Sequence, residues 1–252
     1  MHESIQKAWR ADPTDLNAAS GVYITGTDTG VGKTFVSCTL LHSLCALDLR
    51  AVGMKPVASG CERTDEGWRN DDALRLLAAS NPQPDYALVN PFALPAPTAP
   101  EVAAHDVGVE VLLPPLHVAF DALAASADFV VVEGVGGWAA PLSARLDQCE
   151  LVHALGLPVV LVVGLRLGCI NHARLTARAI QVDGVQLLGW IGSAIDPGFT
   201  GSAETVAILD RCIPAPRLGL LPHRTDAAGC AVELRDAAIR IRDFRQGGPQ
   251  LK

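Results

Sequence analysis

Nine consecutive residues, Gly26-Thr27-Asp28-Thr29-Gly30-Val31-Gly32-Lys33-Thr34, hold the densest chemistry in the chain. Glycines at 26, 30 and 32 let successive backbone N–H groups curl round an anion, and an ammonium and a hydroxyl follow directly. The apolar stretch Val22-Tyr23-Ile24-Thr25 precedes the run and an amphipathic stretch from Phe35 to Leu44 follows it, so strand, glycine turn and helix are predicted in succession. The helix N-terminus adds partial positive charge at the same point. The arrangement is that of a P-loop. It implies a bound nucleoside triphosphate, with Lys33 neutralising the β- and γ-phosphates and the Thr34 hydroxyl ligating Mg²⁺. The spacing is unusual: an ordinary P-loop has its first glycine five positions before Gly32, at Thr27 here, whereas Gly26 lies six before it.

Further candidates stand at the ends of apolar segments. Glu133 closes Asp128-Phe-Val-Val-Val-Glu, where a carboxylate suits hard Mg²⁺ directly or through water. Asp72 opens a helix and suits the same metal, but N-capping is an equally physical use for it, and Asp71 is chemically equivalent. Lys55 interrupts an apolar strand just before Pro56, where burial gains an ammonium nothing. It either protects a sheet edge from pairing or brings a second positive charge to a transferring phosphoryl group. Cys169 has no activating base at a recognisable spacing and reads as a small apolar residue. His42, His117 and His153 lie in helix-like stretches as packing or surface residues, and His172 falls in the first turn of a helix.

The elements that must position these groups follow from composition and punctuation. A chain of 252 residues that is 49% hydrophobic and 19% charged buries a substantial core. The net charge of −7 gives no electrostatic footprint for nucleic acid, and the arginines at 174–178 and 235–245 read as solvated helix faces. Seven cysteines, odd in number and without a C-x-x-C, argue against a disulfide framework or zinc and fit a reducing cytoplasm. The N-terminus lacks the apolar core of a leader peptide, and no apolar run reaches the roughly 20 residues of a membrane span. Strands are expected at 51–58, 128–133, 158–163, 186–195 and 217–221. Helices are expected from Asp71 and at 171–181, 202–211 and 226–245. Residues 59–70 read as a polar loop, and the proline-dense stretch 82–115 as a long, partly irregular excursion. Apolar strands separated by helix-length segments predict a mostly parallel sheet covered on both faces. The expected architecture is a single α/β, P-loop NTPase-like domain over residues 21–252, behind a polar extension at 1–20. Ligands bind beyond the carboxyl ends of such strands, which is where Thr34, Lys55, Ser59 and Glu133 fall.

Together the motifs resemble the ATP-dependent dethiobiotin synthetase family from about residue 21 to about 224. They are Gly26–Thr34, Lys55-Pro-Val-Ala-Ser-Gly, Arg69-Asn-Asp-Asp-Ala-Leu, Val89-Asn-Pro-Phe, Pro97-Thr-Ala-Pro-Glu-Val-Ala-Ala, Val132-Glu-Gly-Val-Gly-Gly-Trp, Gly168-Cys-Ile-Asn-His-Ala and Ile213-Pro-Ala-Pro. The six-residue separation of Gly26 from Gly32 is this family's version of the loop. The resemblance implies closure of 7,8-diaminopelargonate with CO₂ and ATP to dethiobiotin, a step of biotin synthesis, through a carbamate and a carbamic-phosphoric anhydride. It implies Lys33 and Lys55 as catalytic cations, and Thr34, Asp72 and Glu133 as Mg²⁺ ligands. It further implies a nucleotide site of Gly30, Val31, Gly32, Lys33, Thr34, Phe35, Asp72, Glu133, Gly134, Val135, Gly136, Ser193, Ala194, Pro222, His223 and Arg224. Thr29 and Ser59 would lie near the diamine. In a homodimer, the turn bearing Cys169 and Asn171 would hold the substrate carboxylate across the interface; no nucleic acid or membrane partner is implied.

Ser193 departs from the family pattern, which commonly has an asparagine there to read adenine, with an aspartate where Ala194 stands. One hydroxyl replaces a paired donor and acceptor, so weaker discrimination against GTP or CTP is expected. Two rival classes share the fold. Partition and division-site switch ATPases carry a second lysine early in the loop, where this chain has Asp28, and an aspartate cannot supply that charge. Glutamine-dependent amidoligases of the corrin type need an added glutaminase domain, for which the chain has no room.

Overall fold

The computed structural model describes residues 21–223 and 226–245. The expected extension at 1–20 and the expected nucleotide contact Arg224 lie outside the described residues. The first strand, β1 (Gly21–Gly26), leads through the glycine run into α1 (Lys33–Cys45) and then β2 (Ala51–Met54). Two short pairs follow: β3 (Val57–Ser59), and the hairpin β4 (Glu62–Thr64) with β5 (Gly67–Arg69). Next come α2 (Asp71–Ala79), α3 (Tyr86–Val89), β6 (Phe92–Leu94), α4 (Pro100–Asp106), α5 (Leu113–Ser126) and β7 (Phe129–Glu133). The hairpin β8 (Pro141–Ser143) and β9 (Leu146–Asp147) leads to α6 (Gln148–Leu155) and β10 (Val159–Gly164). Helix α7 (Cys169–Val182), β11 (Leu187–Ser193), α8 (Ser202–Cys212), β12 (Arg217–Leu221), a 3₁₀ turn (Ala231–Leu234) and α9 (Arg235–Arg245) complete the order.

Six strands form one sheet in the order β12-β11-β10-β1-β7-β2, and every neighbouring pair is parallel. Side chains alternate across it as the two-residue period of a strand requires. Val22, Ile24, Phe129, Val131, Val160 and Val162 pack on the face of α1, α2 and α9. Tyr23, Val130, Val132 and Val159 pack on the opposite face with α5 and α6, and Leu161 and Val163 with α7 and α8. Strands buried on both faces read as continuous apolar runs, which is why they were legible in the sequence. The chain leaves β1 for one side of the sheet and later crosses to the other. The glycine run therefore sits at the switch between β1 and β10, with Glu133 beside it at the end of β7.

Five expectations change. Helix α1 is enclosed rather than amphipathic, with α2, α9 and the 3₁₀ turn covering its outer side. Its buried Ser37, Thr39 and Ser43 donate to carbonyls four residues back, Lys33 O (2.9 Å), Phe35 O (2.7 Å) and Thr39 O (2.8 Å), so burial leaves their hydroxyls satisfied. The expected strand 51–58 breaks at Lys55-Pro56. Pro56 has no N–H to donate to a ladder, and Asn90 turns the chain by donating to Lys55 O at 2.7 Å while the Lys55 N–H donates to Val89 O at 2.7 Å. Residues 57–59 then pair with β6 instead, and the expected loop 59–70 contains the β4–β5 hairpin. The excursion 82–115 holds α3, β6, α4 and the start of α5; Pro100, Pro114 and Pro115 stand in first turns, where a missing N–H is harmless. Finally, the helix expected from Asp226 begins at Arg235, because Asp226 accepts the Gly229 N–H (3.0 Å) and closes a turn.

Among the described residues, no helix is long and apolar enough to cross a membrane. Asn90 is buried, and its amide bridges Lys55 O and Phe92 O. Truncating it strands those carbonyls, so Asn90→Ala is expected to lower the unfolding free energy by about 1–3 kcal/mol in a urea titration.

Candidate active site

The carboxyl ends of β1, β2 and β7 open onto a cleft of about 820 Å³ that is lined by the glycine run, Lys55, Ser59, Asp72, Glu133, the loop after β7 and the segment Pro97–Pro100. Two close approaches shape the glycine run. A Cβ on Gly26 would come within 2.7 Å of Val31 Cγ2, and one on Gly32 within 2.5 Å of Ser193 Oγ; Gly32 also has φ +91°. The early glycine therefore belongs at 26, where the loop folds back on its own strand. Helix α1 starts directly after Gly32 with no side-chain cap, leaving its first-turn N–H groups facing the cleft.

Lys33 donates to Gly136 O (2.6 Å) and to Asp28 O (2.9 Å). Burial pulls its pKa down to about 8, and Lys55 adds to that effect; Glu133, Asp72 and Asp28 oppose it. Glu133 is 0% exposed, and its Oε1 accepts from Thr34 Oγ1 (2.8 Å) and from Lys55 Nζ (2.5 Å). Its Oε2 is buried without a hydrogen-bond partner among the described residues. Lys55, 4% exposed, also donates to Asp72 Oδ2 (3.0 Å) and Gly134 O (3.4 Å). Burial disfavours the Lys55 charge, but Glu133 and Asp72 outweigh it and hold the pKa above the ordinary lysine value. Burial likewise works against ionised Asp72, yet Lys55, Thr34 and Lys33 hold its carboxyl below the usual range. The edge-guarding use of Lys55 does not apply, since its ammonium points into this cluster.

The two aspartates of α2 separate cleanly. Asn70 caps the helix by accepting the Ala73 N–H (3.2 Å), which leaves Asp72 free for the cluster. Asp71 is exposed and pairs with Arg75 one turn along, at 2.8 Å.

The glycine-rich loop after β7 owes its shape to a residue that the sequence reading passed over. Gln148 is 1% exposed; its Oε1 accepts from Tyr23 Oη (2.8 Å) and the Val135 N–H (3.1 Å), and its Nε2 donates to Gly137 O (2.6 Å), Trp138 O (3.3 Å) and Ala140 O (3.3 Å). That grip sets the Gly136 carbonyl against Lys33. The available signal was Tyr23, a phenol inside a fully buried strand that must find a partner. Burial, and after it Glu133, pushes the Tyr23 pKa up, so it stays a neutral donor.

Other expected residues fall in three places. Thr29, Gly30, Gly32, Phe35, Ser59, Val135 and Gly136 line the cleft, whereas the side chain of Val31 is buried in the core. Ser193 is 3% exposed, with its hydroxyl over the Gly32 α-carbon and outside the lining of the cleft. Ala194 and Pro222 line a neighbouring, mostly apolar cleft of about 770 Å³, and His223 Nδ1 lies 3.0 Å from Ala194 O. Cys169, buried, and Asn171, exposed, start α7 and do not line the first cleft. Arg166, just before that turn, pairs with the Asp28 carboxylate at 2.8 Å.

A parallel sheet, a glycine loop running into a helix, and a lysine and threonine that meet a strand-end carboxylate define a P-loop NTPase-type protein. Solved structures agree at the level of fold. The MinC:MinD cell division complex of Aquifex aeolicus matches with TM-score 0.53 at 15% identity, covering 93% of this chain and 98% of that one. A ParA family ATPase from Chlorobium tepidum TLS matches with TM-score 0.51 at 15% identity, covering 90% and 99%. Sequence goes further. A family model described as an AAA domain matches residues 20–229. The chain is 63% identical over 209 residues, 83% of its length, to 93% of a Xanthomonas oryzae pv. oryzae (strain PXO99A) protein named ATP-dependent dethiobiotin synthetase BioD. It is 61% identical over 204 residues, 81% of its length, to 90% of a protein of the same name from Xylella fastidiosa (strain 9a5c). The chain belongs to the ATP-dependent dethiobiotin synthetase family, a family of ligases.

An ammonium at Lys33 would attract phosphate only in its charged form. With a folded pKa of about 8, ATP affinity in the free protein should hold steady up to about pH 7 and fall about tenfold by about pH 9, measured by titration calorimetry. Lys33→Ala should bind weakly at every pH without that slope. Fold stability has the opposite sign. The folded chain binds fewer protons than the unfolded one between about 8 and 10.5, so the Lys33 contribution is unfavourable below about 8 and is relieved as pH rises through that window.

Proposed function

We propose that this chain closes 7,8-diaminopelargonate with CO₂ into dethiobiotin at the expense of ATP. The observation that carries this reading is the convergence of Lys33 and Lys55 with Thr34, Asp72 and Glu133 in one cleft, in a chain 63% identical to a named ATP-dependent dethiobiotin synthetase. The glycine run and the first turn of α1 cradle the phosphates, and Lys33 exchanges its two carbonyl partners for phosphate oxygens.

Mg²⁺ fits the donor set at Thr34, Asp72 and Glu133. All three offer hard oxygens, and the unpartnered Oε2 of Glu133 is a buried acceptor in need of a cation or its water. When bound, Mg²⁺ supplies charge neutralisation at the transferring phosphoryl group. Among the described residues no three His, Cys, Asp or Glu side chains form a metal nest, in keeping with an ion that takes its remaining ligands from phosphate and water.

The reaction needs no protein nucleophile. One substrate amine attacks CO₂ and loses a proton, giving a carbamate. A carbamate oxygen attacks the γ-phosphorus and ADP leaves, giving a carbamic-phosphoric anhydride. The second amine attacks its carbonyl carbon, phosphate departs, and the ring closes with loss of that amine's proton. Lys33 and Lys55 hold the charge that develops on the phosphoryl and carbamate oxygens, and Thr29 and Ser59 orient the amines from the cleft wall. The Cys169–Asn171 turn lies at a helix N-terminus, suited to a carboxylate, and lines no part of this chain's own cleft; in a homodimer it would serve the partner's site.

Phosphate release from ATP should require both the diamine and bicarbonate and yield a product of dethiobiotin mass. Diamine-independent hydrolysis would sink the substrate assignment. Lys55→Ala should lower kcat by about 10²–10³-fold in the same assay. Mixing it with Asn171→Ala chains should restore partial activity through hybrid dimers with one intact site, whereas inactive mixtures would mean that each chain uses its own turn.

A further inference from the structure

Gln148 is buried, makes five hydrogen bonds and lines no part of the cleft, so the reaction described above gives it no share in the chemistry. It is the first residue of α6, a start fixed by Glu150, whose carboxylate accepts the Asp147 N–H at 2.8 Å. The Val135 N–H can only donate, and the carbonyls of Gly137, Trp138 and Ala140 can only accept. One orientation of the Gln148 amide satisfies them all, and the Tyr23 hydroxyl secures it by donating to Oε1. There is no slack in this grip. A Cβ on Gly134 would meet Gln148 Oε1 and come within 2.6 Å of Tyr23 Oη. Between the gripped Val135 and Gly137 lies the Gly136 carbonyl, which accepts from Lys33 Nζ at 2.6 Å, the shorter of the two contacts that hold this ammonium beside the glycine run. Glu133 and Asp72, in the same cleft, attract the same ammonium.

We propose that Gln148 is a positioning residue of the nucleotide site, acting on the triphosphate through the Gly136 carbonyl and the Lys33 ammonium. The inference rests on the nucleotide reading of the cleft given above and deepens it. Without the Gln148 amide, one N–H and three carbonyls of the loop lose a buried partner, and the loop must shift to find others. The Gly136 carbonyl moves with it. Lys33 then keeps only Asp28 O and relaxes toward the carboxylates, from which an arriving phosphate has to draw it back. Nucleotide affinity falls, although the altered side chain lies behind the wall of the cleft and touches no ligand.

The test is a double-mutant cycle on the full chain, with the affinity for ATP and Mg²⁺ measured by titration calorimetry. Its members are the wild type, Gln148→Met, Lys33→Met and the double variant. Methionine keeps the length of the glutamine side chain and removes both of its polar groups. Gln148→Met should weaken ATP binding about tenfold when Lys33 is present and less than about twofold in the Lys33→Met background, because it acts through that lysine. Equal losses in the two backgrounds would mean a general loosening of the site and overturn the proposal, as would no loss with Lys33 present. A crystal structure of Gln148→Met should show Gly136 O beyond hydrogen-bond reach of Lys33 Nζ, and an unmoved carbonyl also overturns it. Should Gln148→Met fail to fold by circular dichroism, Tyr23→Phe replaces it in the same cycle, since it removes only the hydrogen bond that secures the amide. About a threefold loss confined to chains with Lys33 is then expected, and equal losses, or none, overturn the proposal. A wild type that binds no ATP removes the nucleotide reading and the inference with it. A wild type that binds ATP while the losses are equal removes the inference alone.

Discussion

A carboxylate with no exposure to water, at the end of a central strand, is the constraint on which this molecule turns. Glu133 ends β7, between the strand that launches the glycine run and the strand that delivers Lys55. An isolated charge there would be driven to neutralise, so its surroundings must answer it with donors. The donors are Thr34, from the first turn of α1, and Lys55, from the kink after β2; Asp72, from the capped start of α2, accepts from the same Lys55 ammonium. Each is held by a local device: the bare helix start after Gly32, the Asn90 bracket and the Asn70 cap. The sheet order brings their three attachment points together. Connections on one side of β1 bring up β2 and β7, and the glycine run lies at the point where the chain changes sides.

The second wall of the site is backbone. Lys33 rests on two carbonyls, one from its own loop and one from the loop after β7. The second is aimed by Gln148, which grips the Val135 N–H and the Gly137 carbonyl on either side of it from behind, without itself lining the cleft. Behind Gly32, Ser193 packs so closely that the P-loop and the end of β11 admit no Cβ between them. Its hydroxyl therefore supports the loop from beneath, and Ala194 and Pro222 are the residues that face the neighbouring cleft.

The glycine run, the six apolar strands and the strand-end acid were legible because each is encoded locally, by spacing, period and length. What escaped depends on partners distant in sequence. Nothing near Lys55 announces Asn90, whose amide turns the backbone out of the sheet. The choice between Asp71 and Asp72 is made by Asn70, which caps α2 and frees one acid while Arg75 takes the other. Gln148 sits in an unremarkable stretch and gains its role only when Tyr23 and the loop after β7 are brought to it. Three prolines of 82–115, Pro100, Pro114 and Pro115, looked like breakers and turned out to stand in the first turns of helices, since proline ends one helix and begins another equally well.

The enclosure of α1 gives the site a mechanical asymmetry. The helix that follows the glycine run is wedged between the sheet, α2 and α9, with its own hydroxyls tied to its own carbonyls. The facing wall, from Pro97 to Pro100 and at Ala140 and Pro141, hangs on a three-residue strand pair and a two-rung hairpin. Elements held by so few ladder bonds open at a small fraction of the energy needed to shift a buried helix. The cleft is an anvil opposed by a pliable jaw, and adjustment to ligands of different length falls to the jaw.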